Sequence, residues 1–309
     1  MVKTPYPTGQ KTPEGMCRQW PGEPDIDCNE FSLWRDLLDK MLRLNLTNDE
    51  IGSVLLFTGR CDTIITAKYY HDMHHISWFD PKQFDARKLT AIANDRNPVS
   101  PEFGVPNSIA EKTLFKFVTD QDFTDGTEKE LKAVDLHLFT PDRVFNVAMP
   151  RIIKNLFSLS KRVSMVLNYP LVTYRGIEIA TRNLELCDLE IGDPIYINNF
   201  MSTSISCLVA GYFMGKSRLT ALRTTGKTKC GVMYKFLIPP HTRCIPTMGI
   251  HYLPEECEII LVPDKKVNWH VTDKDITTNY NGQPTLLLTV EGKHQDQNSG
   301  TCLGFFDAI

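Results

Sequence analysis

The chain has 309 residues, with 34 Lys and Arg against 37 Asp and Glu, for a formal net charge of −3. A chain of this length buries a large core without a disulfide or metal staple, and its near-neutral balance excludes a global field that would gather nucleic acid or acidic membrane. Hydrophobic residues at 42% and charged residues at 23% exclude intrinsic disorder, and 18 Gly with 19 Pro exclude collagen-like and low-complexity chains.

Residues 1–30 are rich in Pro, Gly and polar residues and read as an extended arm, with Trp20 as a docking residue. Phe31, Trp34, Leu37, Leu38, Met41 and Leu42 then fall at helical spacing, so an amphipathic helix is expected over 30–44. A second helix is expected from Thr47, whose spacing to Glu50 is that of a capping box, through IGSVLLF to a stop near Gly59. Residues 60–110 read as irregular, broken by Pro81, Pro98, Pro101 and Pro106. His71, His74 and His75 lack a partner set of further ligands, and a solvated helical turn explains them better than a metal site. Segments 110–119 and 128–139 suit helices or short strands, and 151–167 is a clear amphipathic helix.

After residue 168 the texture changes to β-rich runs at 169–177, 198–206, 231–239, 255–263 and 284–292, with a short helix around LVAGYFMG. Helices first and strands afterwards make an α+β fold, with helices covering a mostly antiparallel sheet or sandwich around one shared core. The nine cysteines are scattered, form no C-x-x-C pair, and sit in part within apolar runs, which fits small core hydrophobes in a reducing compartment. The N-terminus lacks the apolar stretch of a signal peptide and no apolar run approaches a membrane span, so a cytoplasmic setting is expected, in the producing cell or in a host.

Three strand segments are polar where a core strand is not. Arg175, in VTYRG, costs desolvation energy unless it meets an anion or a carboxylate such as Glu178, and Gly176 beside it admits close backbone approach. Phe200-Met201-Ser202-Thr203-Ser204 places three hydroxyls in succession, with Ser202 and Ser204 on the face of Phe200 and Thr203 opposite. Glu255-Glu256-Cys257-Glu258 runs into IILV, and period two puts Glu256 and Glu258 on one face with Cys257 in the apolar layer. Two adjacent carboxylates opening a core strand are costly, which marks a site, although an edge strand that uses charge against aggregation is the plainer alternative.

Taken in order, YRG (174–176), FMSTS (200–204) and PEECE (254–258) resemble the arginine–serine–glutamate type of mono-ADP-ribosyltransferase, binary-toxin-like and arginine-specific. LTNDEIGSVLLFTGRCDTIITAKY (46–69) looks like the helix that opens that domain. The resemblance covers about 45–270, and the stretch 70–145 does not align. Residues 1–44, the arm and first helix, fall outside it, and for 45–309 it implies a domain in which helices pack on a split β-sandwich that grips NAD+ as co-substrate, with an atypical insertion at about 70–145. It implies that Arg175 holds the NAD phosphates and that the Gly176 backbone bonds the nicotinamide amide. Phe200 would border the nicotinamide end, Ser202 would orient Glu258, and Thr203 and Ser204 would support the cleft wall. Glu258 would stabilise the ribose cation as nicotinamide leaves, in chemistry parallel to glycoside hydrolysis and without a metal. Glu256 goes with an arginine acceptor on a partner protein, with 246–255 and Tyr252 as the acceptor-recognition loop and 215–231 as a mobile basic loop beside the phosphates. An NAD glycohydrolase and a catalytically inactive binding module are the alternatives, and no nucleic-acid or membrane partner is expected.

Overall fold

The computed structural model describes residues 30–77, 80, 103–104, 109–120, 140–180, 189–207, 209–211, 213, 229–250, 257–278 and 284–295. The arm 1–29, the segment 128–139, the basic stretch 214–228 and residues 251–256, which include Tyr252 and Glu256, lie outside them.

The expected first helix is present as α1 (Glu30–Arg43), with Trp34, Leu37, Leu38 and Met41 buried on one face. Helix α2 (Asn48–Leu56) starts at a complete capping box, in which the Glu50 N–H donates to Thr47 Oγ1 and the Thr47 N–H donates to Glu50 Oε2. Buried Glu50 is further satisfied by Arg162 Nη1 at 2.6 Å, which ties α2 to helix α5 (Met149–Val166). The expected stop near Gly59 does not occur. The helical path continues through a π-turn (Phe57–Cys61) into α3 (Asp62–His74), so residues 62–74 are regular rather than irregular. Phe57, Cys61, Ile64, Ile65 and Tyr69 are all buried on this path, and that packing outweighs the modest cost of a glycine within a helix. His71 and His74 occupy the last turn of α3, and His75 closes it in the left-handed conformation with φ 55°. Segment 110–119, ambiguous in the sequence, lies in helix α4 (Ile109–Thr119).

Among the described residues eight strands follow: β1 (Leu171–Ala180), β2 (Pro194–Ile195), β3 (Met201–Ser204), β4 (Lys229–Ile238), β5 (Cys244–Pro246), β6 (Glu258–Leu261), β7 (Val267–Thr278) and β8 (Pro284–His294). They hydrogen-bond in the order β2-β7-β8-β4-β1-β3-β6-β5, antiparallel except for the β4–β8 pair. Strand β1 pairs with β4 along its whole length but meets β3 only at Tyr174↔Ser204. That single pair nearly parts the sheet into a five-stranded and a three-stranded group, in keeping with the split that the resemblance implies. Strand β7 was not anticipated, although Val267, Trp269 and Val271 alternate as buried residues within it.

One large core joins the helices to both strand groups, and a second small cluster of Tyr174, Cys207, Ala210 and Met233 lies apart from it. Leu171 belongs to the large core and Tyr174 to the small one, as the two-residue period of a strand requires.

Candidate active site

Arg175 is placed by this alternation. Thr173 and Leu171 are buried on its side of β1, and at Arg175 and Ile177 that side opens into a cleft of about 660 Å³, a size usual for a ligand site. Tyr234, the Cα partner of Arg175 on β4, lines the same cleft. The guanidinium bridges the split: Arg175 Nη1 donates to the main-chain carbonyl of Ser202 at 2.5 Å. Burial pushes the Arg175 guanidinium below its ordinary value, and the nearby Glu258, Asp62 and Tyr234 partly offset this. A half-buried cation that lines a cleft suits anion binding better than a solvent-facing ion pair does.

Ser202, Met201 and Phe200 line the cleft from β3 and the residue before it. Phe200 is also a core residue, with ring centroids 5.2 Å from Phe157, 5.6 Å from Tyr69 and 6.0 Å from Phe57. Thr203 turns inward and its hydroxyl donates to the Ile259 carbonyl at 2.8 Å, clamping β3 to β6. Ser204 is buried, and its Oγ accepts from the Ser206 N–H at 3.0 Å. Gly176 continues β1 opposite Met233.

Glu258 is the first residue of β6 and is 5% exposed. It stands directly opposite Ser204, with Ser202 two residues along on the same face of the pair. Its own carbonyl accepts from both the N–H (3.0 Å) and the hydroxyl (2.9 Å) of Thr247. Just before it, buried Cys257 has φ 46°, a left-handed conformation that costs about 1–3 kcal/mol and persists where surrounding structure over-determines it. This corrects one expectation. The chain is not extended through Cys257, so period two does not carry from Glu258 back to Glu256, and a shared face for the two does not follow. Cys257 nevertheless lies in the apolar layer, as expected. Of the expected acceptor loop, residues 246–250 are all buried.

The sequence reading missed Asp62. It opens α3, lines the cleft with Thr63 and Thr66, and lies within the electrostatic reach of Arg175 and Glu258. Its carboxyl is raised above the usual range, first by burial and then by Glu258, against the lowering effects of the Thr63 N–H and of Arg175. The available signal was the polar pair Asp62 and Thr66, one helical turn apart among apolar neighbours.

Several solved structures are similar to this chain. The Vis toxin, an ADP-ribosyltransferase from Vibrio splendidus, is 17% identical with a TM-score of 0.33, over 70% of this chain and 85% of that one. The C3 exoenzyme of Clostridium limosum is 11% identical with a TM-score of 0.40, over 86% of this chain and 95% of that one. The enzymatic component C2-I of the Clostridium botulinum C2 toxin is 15% identical with a TM-score of 0.36, over 62% of this chain and 47% of that one. No family model matches the sequence, and no curated protein matches it. At these identities and scores the likeness lends no weight to a function, which rests on the residues of the cleft.

Proposed function

We propose that this chain is an NAD-dependent mono-ADP-ribosyltransferase that modifies a protein, at arginine. The observation that carries the reading is the meeting of Arg175 with Ser202 across the split, with buried Glu258 in the field of that guanidinium. Arg175 holds the diphosphate of NAD+, where a planar guanidinium is suited to phosphate oxygens. Glu258, oriented from the face it shares with Ser202, lies against the ribose next to the nicotinamide. When the C–N glycosidic bond breaks, its electron pair leaves with nicotinamide and positive charge develops on the ribose. A carboxylate already fixed by its strand stabilises that charge without reorganising. The acceptor nitrogen then attacks the sugar carbon and gives up a proton. Glu256 serves the acceptor by holding and deprotonating the guanidinium, and Tyr252 contacts the acceptor protein.

Incubating the protein with labelled NAD+ and cell lysate tests this directly. Label on protein, located by mass spectrometry on arginine side chains, is the expected outcome. In Glu256→Gln, transfer to arginine is expected to fall while slow release of nicotinamide persists. Free ADP-ribose as the sole labelled product would instead make the chain an NAD glycohydrolase, and equal loss of both activities in Glu256→Gln would remove the separate role for that residue.

A further inference from the structure

The proposed chemistry uses Arg175, Ser202 and Glu258 and leaves one charged group on the cleft wall without a task. Asp62 begins α3 directly after the π-turn, where the main-chain N–H groups of Asp62 and Thr63 hold its carboxylate. It lines the same cleft as Arg175 and Ser202. Phe57, which begins that π-turn, lines the cleft too and packs on Phe200 with ring centroids 6.0 Å apart, so this wall stands beside the residue that the reading gives to the nicotinamide end. Among the described residues, the cleft wall therefore carries one carboxylate beside one guanidinium, with buried Glu258 in the field of both, a charge excess that works against binding a diphosphate.

The chemistry of the dinucleotide gives this excess a use. NAD+ and NADH carry the same diphosphate, so surplus negative charge repels that part of both equally. They differ at the ring: the nicotinamide of NAD+ is a cation, and the dihydronicotinamide of NADH is neutral. We propose that Asp62 is a specificity-determining residue whose carboxylate favours the cationic ring of NAD+ over the neutral ring of NADH. The inference rests on the reading that the cleft takes NAD+. No bond forms to Asp62 and it transfers no proton; its effect is the field it adds at the ring end of the cleft. As the glycosidic bond breaks, positive charge passes from ring to ribose within that same field.

The test measures binding separately from turnover. In a Glu258→Gln background, which keeps NAD+ intact during titration, calorimetry at pH 8 gives Kd for NAD+ and for NADH, with and without Asp62→Asn. With Asp62 present, NAD+ is expected to bind tighter than NADH by roughly three- to tenfold, the effect of one screened unit charge a few ångströms away. Asp62→Asn is expected to close that gap, mainly by tightening NADH, since lost ring attraction offsets relieved phosphate repulsion for NAD+. Higher salt should narrow the gap with Asp62 present and leave the Asn variant unmoved, which a merely structural role for Asp62 would not produce. Asp62→Ser provides a second variant with the same expected ratio should the Asn protein fold poorly. An unchanged NAD+/NADH ratio in both variants overturns the inference and leaves the NAD+ reading standing. Failure of NAD+ to bind with Asp62 present overturns both.

Discussion

The two strand groups that meet at Tyr174 and Ser204 are built differently. In the five-stranded group, apart from its two-residue edge strand β2, the ladders are long, with ten paired positions between β1 and β4 and eleven between β7 and β8. In the three-stranded group they are short, with four pairs between β3 and β6 and three between β5 and β6. Short ladders hold little by themselves, and the three-stranded group is held instead by burial and by hydroxyls. β5 and β6 are buried along their whole length, Thr203 bonds the Ile259 carbonyl and Thr247 bonds the Glu258 carbonyl. The long ladders supply Arg175 and Tyr234 from a regular scaffold, whereas Glu258 follows a left-handed residue in a segment held by a few specific bonds. The difference teaches where the site is sensitive: losing one hydrogen bond in the long group should leave chemistry intact, and losing one in the short group should not.

The largest expected break is at Glu258. Glu258→Gln keeps the shape and removes the charge, and is expected to slow nicotinamide release by roughly 10²- to 10³-fold with a nearly unchanged melting temperature. Arg175→Lys, on the long-ladder side, keeps a cation but loses the planar donor set. It is expected to raise KM for NAD+ by roughly tenfold or more, with a smaller effect on kcat, as steady-state kinetics would show. The sharpest comparison pairs two hydroxyl deletions. Thr247→Val removes the 2.9 Å bond to the Glu258 carbonyl and is expected to cost about 1 kcal/mol in denaturant titration together with a measurable fall in kcat. Thr272→Val removes the 3.4 Å bond to the Thr289 carbonyl between β7 and β8 and should leave kcat unchanged. Equal effects on kcat from the two substitutions would erase the distinction between the groups.

The smallest expected effect concerns pH. The Asp62 carboxyl is raised in the folded chain, so the folded state binds its proton more readily than the unfolded state does. Stability from this group is therefore lost as pH rises from the ordinary carboxylate range through the raised value. Asp62→Asn should raise the melting temperature slightly at neutral pH, and the gain should vanish in acid. A gain that persisted unchanged in acid would show that it does not come from this titration.

What could be read from the sequence depended on whether the signal was local. The capping box at Thr47 and the apolar stripe of α1 are properties of a few neighbouring residues, and both formed as expected. Arg175 and the 202–204 hydroxyls were visible because charge and hydroxyls within β-rich runs conflict with their surroundings, and the fold places Arg175 and Ser202 in contact. Asp62 was overlooked because its pairing with Thr66 is a weak local signal and its role depends on Arg175 and Glu258, which lie far along the chain on other elements. Gly59 misled because a local helix breaker was overridden by tertiary burial of Phe57, Cys61, Ile64 and Ile65. The argument for a common face of Glu256 and Glu258 lost its basis because period two assumes extended backbone, and nothing in the residue type of Cys257 announces a positive φ. Strand β7 was overlooked although its alternation was present, since its later half, VTDKDITT, dilutes the pattern with polar residues.

The central claim is that one dinucleotide spans the split, with its diphosphate on Arg175 and its nicotinamide ribose at residue 258. A crystal structure of the Glu258→Gln protein soaked with NAD+ tests this most directly. The expected density places phosphate oxygens within hydrogen-bond distance of the Arg175 guanidinium and the ribose hydroxyls beside Gln at 258, with Ser202 on the same face. Density for NAD+ on another surface, or with its ribose remote from residue 258, would contradict the account.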